Sequence, residues 1–185
     1  MVGSSVLPAC IHKGKLFFLF GQENSLADTP GWSDFGGGVD PGENIYDTAM
    51  REGAEEMTGF LGPIAPLVKK NGGVLKLKSP VGEYYIHLFH LPFSEELPLY
   101  YNFNHDFLWR RMNKNMLNNT KLFEKARIKW WSIDEMQRGR HLFRNFYKDC
   151  VDMLCQNKQL IMRFLRNKRK TVAVKRKLYG TRKNK

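Results

Sequence analysis

Apolar positions along the chain follow two periods, and the changes between them mark the elements. Ser5–Ile11 and Lys15–Gly21 carry the short, strand-like period, with Leu16-Phe17-Phe18-Leu19-Phe20 at the heart of the second run. His12-Lys13-Gly14 between them predicts a turn. Residues 22–34 are polar, contain Pro30 and Gly31, and read as a loop. Phe35–Gly42 is too glycine-dense to predict regular structure. From Ile45 to Met57 the period becomes helical: Ile45, Ala49 and Ala54, with Gly53, form a small apolar face, Asn44 suits the N-cap and Gly59 the stop. Pro63 and Pro66 mark a connector. Val74–Leu77, a turn at Ser79-Pro80 and Tyr84–Leu91 then predict two more strands. Residues 92–120 mix aromatics, asparagines and Arg110-Arg111 and fit neither period. Ile128–Ile133 reads as a strand. Asp134 to about residue 166 reads as one helix, with Leu142, Phe146, Cys150, Met153 and Leu154 on one stripe. No internal repeat is present.

Composition narrows the class. A chain of 185 residues with 42% hydrophobic and 13% aromatic content can bury a core, so wholesale disorder is excluded. No apolar run approaches the length of a membrane span, and the run at Leu16–Phe20 is too short for a signal peptide. Cys10, Cys150 and Cys155 show no C-x-x-C spacing and no histidine pair completes a zinc set. Reduced thiols in a cytoplasmic protein, also able to enter the nucleus, are the expectation.

Charge adds a boundary. The net charge is +12, yet residues 1–157 hold 18 basic and 18 acidic side chains, and residues 158–185 hold 12 basic and no acidic ones. This predicts a domain over 1–157 and a basic C-terminal extension over 158–185. Within the body, residues 1–104 carry 7 basic and 12 acidic groups, whereas residues 105–157 carry 11 and 6. Such a gradient suits a cation at one end of a site and a polyanion at the other.

The candidate chemistry is concentrated in Gly36-Gly37-Gly38-Val39-Asp40-Pro41-Gly42-Glu43 and Arg51-Glu52-Gly53-Ala54-Glu55-Glu56. A helix puts Glu52, Glu55 and Glu56 on one face, where like charges repel unless a cation joins them. Carboxylate oxygens suit Mg2+ or Mn2+, which keep water positions open for phosphate oxygens. Glycines ahead of the helix let backbone approach a ligand closely. Glu43 and Arg51 are spaced to lock loop to helix.

These residues resemble the Nudix box, G-x5-E-x7-R-E-U-x-E-E-x-G-U. Gly37, Glu43, Arg51, Glu52, Glu55 and Glu56 match its fixed positions. Two departures stand out: Gly53 replaces a bulky apolar residue, and one residue is inserted before the closing Gly59. The resemblance extends over residues 4–155, with Trp32 as the tryptophan often found before the glycine loop and residues 128–135 as the closing strand and helix. It implies an α/β fold, an α/β/α sandwich on a mixed sheet, and hydrolysis of a nucleoside-diphosphate-linked substrate with two or three Mg2+ or Mn2+ ions. Glu52, Glu55 and Glu56 would be the metal ligands, Glu43 and Arg51 the brace, and the backbone of Gly37 and Gly38 would lie near metal or phosphate. The general base would be a box glutamate or Glu124.

Three functions fit. The first is mRNA decapping, with release of m7GDP or m7GMP. Trp32, Trp109, Trp130 or Trp131 would stack the cap base, and Arg110, Arg111 and Lys114 would touch phosphate. Arg166, Lys168, Arg169, Lys170, Lys175, Arg176 and Lys177 would then form an RNA path. The second is a pyrophosphatase acting on oxidised nucleotides, dinucleoside polyphosphates, sugar nucleotides or diphosphoinositol polyphosphates. The third is a non-catalytic RNA-binding protein. No membrane partner is expected, and protein partners leave no signal. The clusters Arg166–Lys170 and Lys175–Lys177 would also suit nuclear import.

Overall fold

The computed structural model describes residues 2–119 and 123–167. Its centre is a mixed sheet. β1 (Val2–His12) and β2 (Lys15–Glu23) form a hairpin whose turn takes Lys13 and Gly14 into the left-handed region, at φ of 47° and 78°. β3 (Trp32–Ser33) continues on β2, and β4 (Phe35–Gly38) pairs antiparallel with the first half of β1. Glycine density at 36–38 therefore does not end the strand. Gly36 is required there, because a Cβ would sit 2.3 Å from the Ser5 Cβ on the paired strand.

α1 (Ile45–Glu56) follows, capped by Asn44, whose side chain accepts from the backbone of Tyr46 and Asp47. α2 (Ile64–Lys70) begins directly after Pro63, in the stretch expected to be a connector. Pro66 is in its first turn, where no intrahelical N–H is needed. β5 (Val74–Lys78) and β6 (Glu83–His90) form a second hairpin, and β6 runs parallel to β1 from Val2↔Glu83 to Ala9↔His90. Residues 92–120, unreadable by period, hold α3 (Glu96–Trp109) and α4 (Lys114–Asn119). β7 (Lys125–Ser132) pairs with β2, and Asn102 of α3 covers its outer edge by bonding both the N–H and the carbonyl of Ile128.

The expected long helix from 134 is broken. α5 (Ile133–Arg138) starts at a Ser132/Glu135 capping box but stops at Gly139. Two single turns, Arg140–Leu142 and Asn145–Tyr147, precede α6 (Lys148–Gln156), and residues 158–167 are again helical. Phe143 forms a bridge with Trp32 at the break, which holds this segment against the sheet. Leu142 and Phe146 consequently leave the expected stripe and are about half exposed, while Cys150, Met153 and Leu154 stay buried.

Two cores flank the sheet. One joins Val6, Leu19, Phe35, Ala49, Met57 and Phe89 beneath α1. The other joins Leu7, Phe18, Phe20, Tyr147, Val151 and Leu154 beneath α6, and it extends to Ile161, Met162 and Leu165. Packing thus continues past the charge boundary at residue 157. This is the α/β layering, helices on both faces of a mixed sheet, that the motif implied. Among the described residues no helix is long and apolar enough to cross a membrane.

Candidate active site

α1 lies against β1 and β4, so its charged face meets the glycine strand. Gly53 explains the first departure from the box pattern. A Cβ there would stand 2.4 Å from Val6 Cγ2, so β1 already occupies the space a bulky residue would take. The inserted residue is absorbed after the helix, where Thr58 and Gly59 both turn left-handed and the Gly59 N–H bonds the Ala54 carbonyl at 2.8 Å. Carboxylate spacing is untouched.

Arg51 is the hub. Its Nε and Nη2 donate to both oxygens of Glu43 at 2.8 and 3.0 Å, and Nη1 reaches Glu52 at 2.8 Å and Glu55 at 3.2 Å. Asp40 pairs with Nη2 at 3.2 Å. Hydrogen bonds from Arg51 and Thr48 hold the Glu43 carboxyl down at about 2, and Glu43 in turn raises the Arg51 guanidinium. The brace between loop and helix is therefore formed as the spacing suggested. Gly37 is pressed against Glu52, so closely that a Cβ would meet Glu52 Oε1 at 2.6 Å.

Glu56 differs from Glu52 and Glu55 in its partners, although Glu52 is buried as well. Glu56 is buried, its Oε2 accepts from the Gly36 N–H at 2.7 Å, and its Oε1 pairs with Lys125 Nζ at 3.1 Å. Lys125 is wholly buried and also binds Glu23 and Ser33 Oγ. Burial alone would lower the lysine, but Glu56 and Glu23 outweigh it and raise it. Burial pushes the Glu56 carboxyl up, the Lys125 cation opposes it, and the charges of Glu23 and, least, Glu124 add to the rise. Lys125 thus belongs to an internal network with Glu23, Ser33 and Glu56.

Beside β4 opens a cavity of about 480 Å³, lined by Gly36, Gly37, Gly38, Glu83, Tyr84, Arg144 and Phe146 among others. Phe146 is about half exposed, the Arg144 guanidinium lies 4.9 Å from its ring centre, and Tyr84 meets it edge-on at 5.9 Å. Arg144 is anchored to Glu23 at 2.7 Å. Glu23 therefore joins the cavity wall, through Lys125, to Glu56. Under the wall Asp34 is buried, accepting from Ser5 Oγ at 2.5 Å and Tyr84 Oη at 2.7 Å, and burial raises its carboxyl to about 6.

Several expected substrate contacts lie elsewhere. The Trp32 ring packs against Trp131 at 5.3 Å, on the edge of the core, and does not line the cavity. Trp130 and Trp131 are both buried. Arg110 and Arg111 follow the end of α3 and do not line it either; Arg111 stacks on Phe107 at 4.0 Å. Arg166 is exposed on the last helix, and Lys168, Arg169, Lys170, Lys175, Arg176 and Lys177 lie outside the described residues. Conversely, sequence periodicity missed Lys125, Arg144, Tyr84, Phe146 and Asp34. Only Asp34 left a trace, as an acid set directly before the apolar Phe35 that opens the glycine strand.

The donor set can be tested against a divalent ion. Glu52 and Glu55 present carboxylates one helical turn apart, each giving a single oxygen to Arg51 Nη1. That leaves lone pairs for a hard cation, and Gly37 keeps the space above Glu52 free of side chain. Glu56 has both oxygens engaged inside the protein. Among the described residues no three His, Cys, Asp or Glu side chains already converge on a metal position. The all-carboxylate chemistry fits Mg2+ or Mn2+, with Glu55 a partly exposed donor and Glu52 a buried one.

The NUDIX domain family model matches residues 4–150. No curated protein sequence matches the chain. Among solved structures, a C. elegans Ap4A hydrolase in a binary complex is 16% identical, with 89% of this chain and 98% of that one covered and a TM-score of 0.45. A mutT/nudix family protein from Listeria innocua is 16% identical, covering 88% and 94%, at 0.45. The NUDIX domain of Shewanella oneidensis NrtR complexed with ADP ribose is 11% identical, covering 88% of each, at 0.44. With the family model spanning most of the chain and the box charges assembled around Arg51, the protein belongs to the NUDIX domain family and is a Nudix pyrophosphohydrolase.

Proposed function

We propose that the chain hydrolyses the pyrophosphate of a nucleoside-diphosphate-linked substrate, and that this substrate is the 5′ cap of mRNA. The observation that carries the reading is the cavity running from the Gly36–Gly38 strand to Tyr84, Glu83 and Phe146. Its volume suits one nucleoside. A methylated guanine is a cationic ring with N–H donors on one edge. An aromatic face and a carboxylate are the groups that recognise such a ring, and Phe146 and Glu83 offer both. A diphosphoinositol polyphosphate would need several cations, whereas this cavity pairs one cation, Arg144, with one carboxylate, Glu83.

In the mechanism the base rests against Phe146 and its pyrophosphate lies along Gly36–Gly38, where no side chain obstructs it. Glu52 and Glu55 would hold Mg2+ or Mn2+, whose bound state supplies charge neutralisation at phosphate and an acidified water. Arg51 keeps both carboxylates oriented while Glu43 keeps Arg51 in place. Glu56 fixes Gly36 through its N–H and so sets the strand against the helix. Glu124, one of the candidate bases, would take a proton from the attacking water. Release of m7GDP or m7GMP would follow from which phosphorus is attacked. The extension beyond residue 167 would bind RNA downstream of the cap.

The test is a product assay with cap-labelled RNA beside a panel of free nucleotides, dinucleoside polyphosphates and sugar nucleotides. Release of labelled m7GDP or m7GMP, faster than turnover of every free nucleotide, is expected. Turnover of free nucleotides with capped RNA left intact would replace decapping by the small-molecule reading.

A further inference from the structure

One surface has no role in the site described above. α3 buries Tyr101 and His105 against the body, yet Leu99, Tyr100, Phe103 and Phe107 on its other side are 49%, 57%, 63% and 54% exposed. A helix apolar on both sides is ordinarily covered on both. These four side chains share one arc, since i, i+4 and i+8 positions lie within a little over one helical face. The same arc carries Glu96 at its start and Arg110 at its end, both exposed. Arg110 still has helical geometry, with φ −72° and ψ −17°. Among the described residues neither takes part in a salt bridge.

The positions of these residues are symmetric. Glu96 and Arg110 lie seven residues either side of Phe103, and Leu99 and Phe107 lie four residues either side. An antiparallel copy of α3, related by a two-fold axis at Phe103, would bring Glu96 opposite Arg110, Leu99 opposite Phe107, and Phe103 opposite itself. Each contact then occurs twice, as an isologous interface requires. A parallel copy would instead set Glu96 against Glu96 and Arg110 against Arg110. We propose that the exposed face of α3 is a homodimer interface, in which the helices of two copies of this chain pack antiparallel about Phe103 with Glu96–Arg110 ion pairs at both ends.

Four half-exposed apolar side chains offer roughly 400 Å² per copy, less than the ~800 Å² per partner of a stable complex. The dimer is therefore weak and concentration-dependent. The face lies on the side of α3 turned away from β7, which Asn102 contacts.

Sedimentation velocity on the full chain from about 1 to about 200 µM tests the proposal, with four variants. Wild type is expected to shift from monomer to dimer over that range. Phe103→Glu, which sets like charges together on the axis, is expected to remain monomeric with an unchanged melting temperature. Glu96→Arg and Arg110→Glu should each weaken association about tenfold, and the two combined should restore it to within about threefold. A monomer at every concentration would overturn the proposal. So would a dimer indifferent to Phe103→Glu, or a double variant no better than the singles. Fluorescence anisotropy with an uncapped RNA oligonucleotide separates the other occupant: a monomeric wild type whose RNA binding is lost in Phe103→Ala would make this face a base-stacking platform instead.

Discussion

Replacing Gly53 by alanine separates two opposed effects. On an exposed helix the change would stabilise by about 1 kcal/mol, because glycine is the poorest non-proline helix former. In this fold the new Cβ would lie 2.4 Å from Val6 Cγ2, more than an ångström inside an ordinary carbon–carbon contact. Val6 is fully buried, and β1 is paired with β4 on one edge and β6 on the other, so neither side chain nor strand can give way easily. Overpacking of this kind costs about 1–3 kcal/mol, and a backbone-anchored valine places it near the upper end. The net expectation is a loss of about 2 kcal/mol, or a fall in melting temperature of about 4–8 °C for a chain this size. Val6→Ala alone should also destabilise, by about 2 kcal/mol. Made together, the two changes should cost clearly less than their sum, because the alanine methyl enters the space the valine vacates. Urea unfolding of the metal-free protein, wild type and three variants, measures the cycle. A Gly53→Ala protein as stable as wild type or more so would refute the steric explanation and leave only propensity.

Three further outcomes follow from the same network. Lys125→Met should cost about 3–5 kcal/mol in urea unfolding, because Glu23 and Glu56 lose the buried cation between them; a cost below about 1 kcal/mol would mean the ion pair is not formed. Asp34 releases its proton near 3.8 when unfolded but only at about 6 when folded, so stability is expected to fall as pH rises through that window. Asp34→Asn should flatten the slope, and a slope unchanged in the variant would assign it to another group. Phe146→Ala should raise KM about tenfold with little change in kcat, since stacking of a base is worth about 1–3 kcal/mol; an unchanged KM would move the base elsewhere.

What the sequence displayed and what it hid have separate physical causes. The box was legible because its charges have a fixed spacing, and Arg51 meets Glu43 as that spacing suggested; its bonds to Glu52 and Glu55 were not foreseen. The first two strands were legible because one long apolar run lies between turn residues. α3 was illegible because it is apolar on two sides, which erases the helical period. A lysine is ordinarily exposed, and only the tertiary placement of Glu23 and Glu56 makes the burial of Lys125 tolerable. The helix expected from 134 to 166 failed where Phe143 reaches back to Trp32, a contact that no local period encodes.

Glu56→Gln is a poor probe of the chemistry, because it also disturbs Lys125 and Gly36. Glu55 is the cleaner one: its carboxylate is 39% exposed and touches only Arg51 among the ion pairs of the site. The decisive measurement is the initial rate of pyrophosphate hydrolysis, with Mg2+ and the best substrate from the panel, for wild type and Glu55→Gln alongside their melting curves. A rate loss of about a hundredfold or more at an unchanged melting temperature is expected if Glu55 serves metal-assisted hydrolysis. A variant that melts like wild type and keeps more than about a tenth of its rate would contradict the assignment of the box carboxylates.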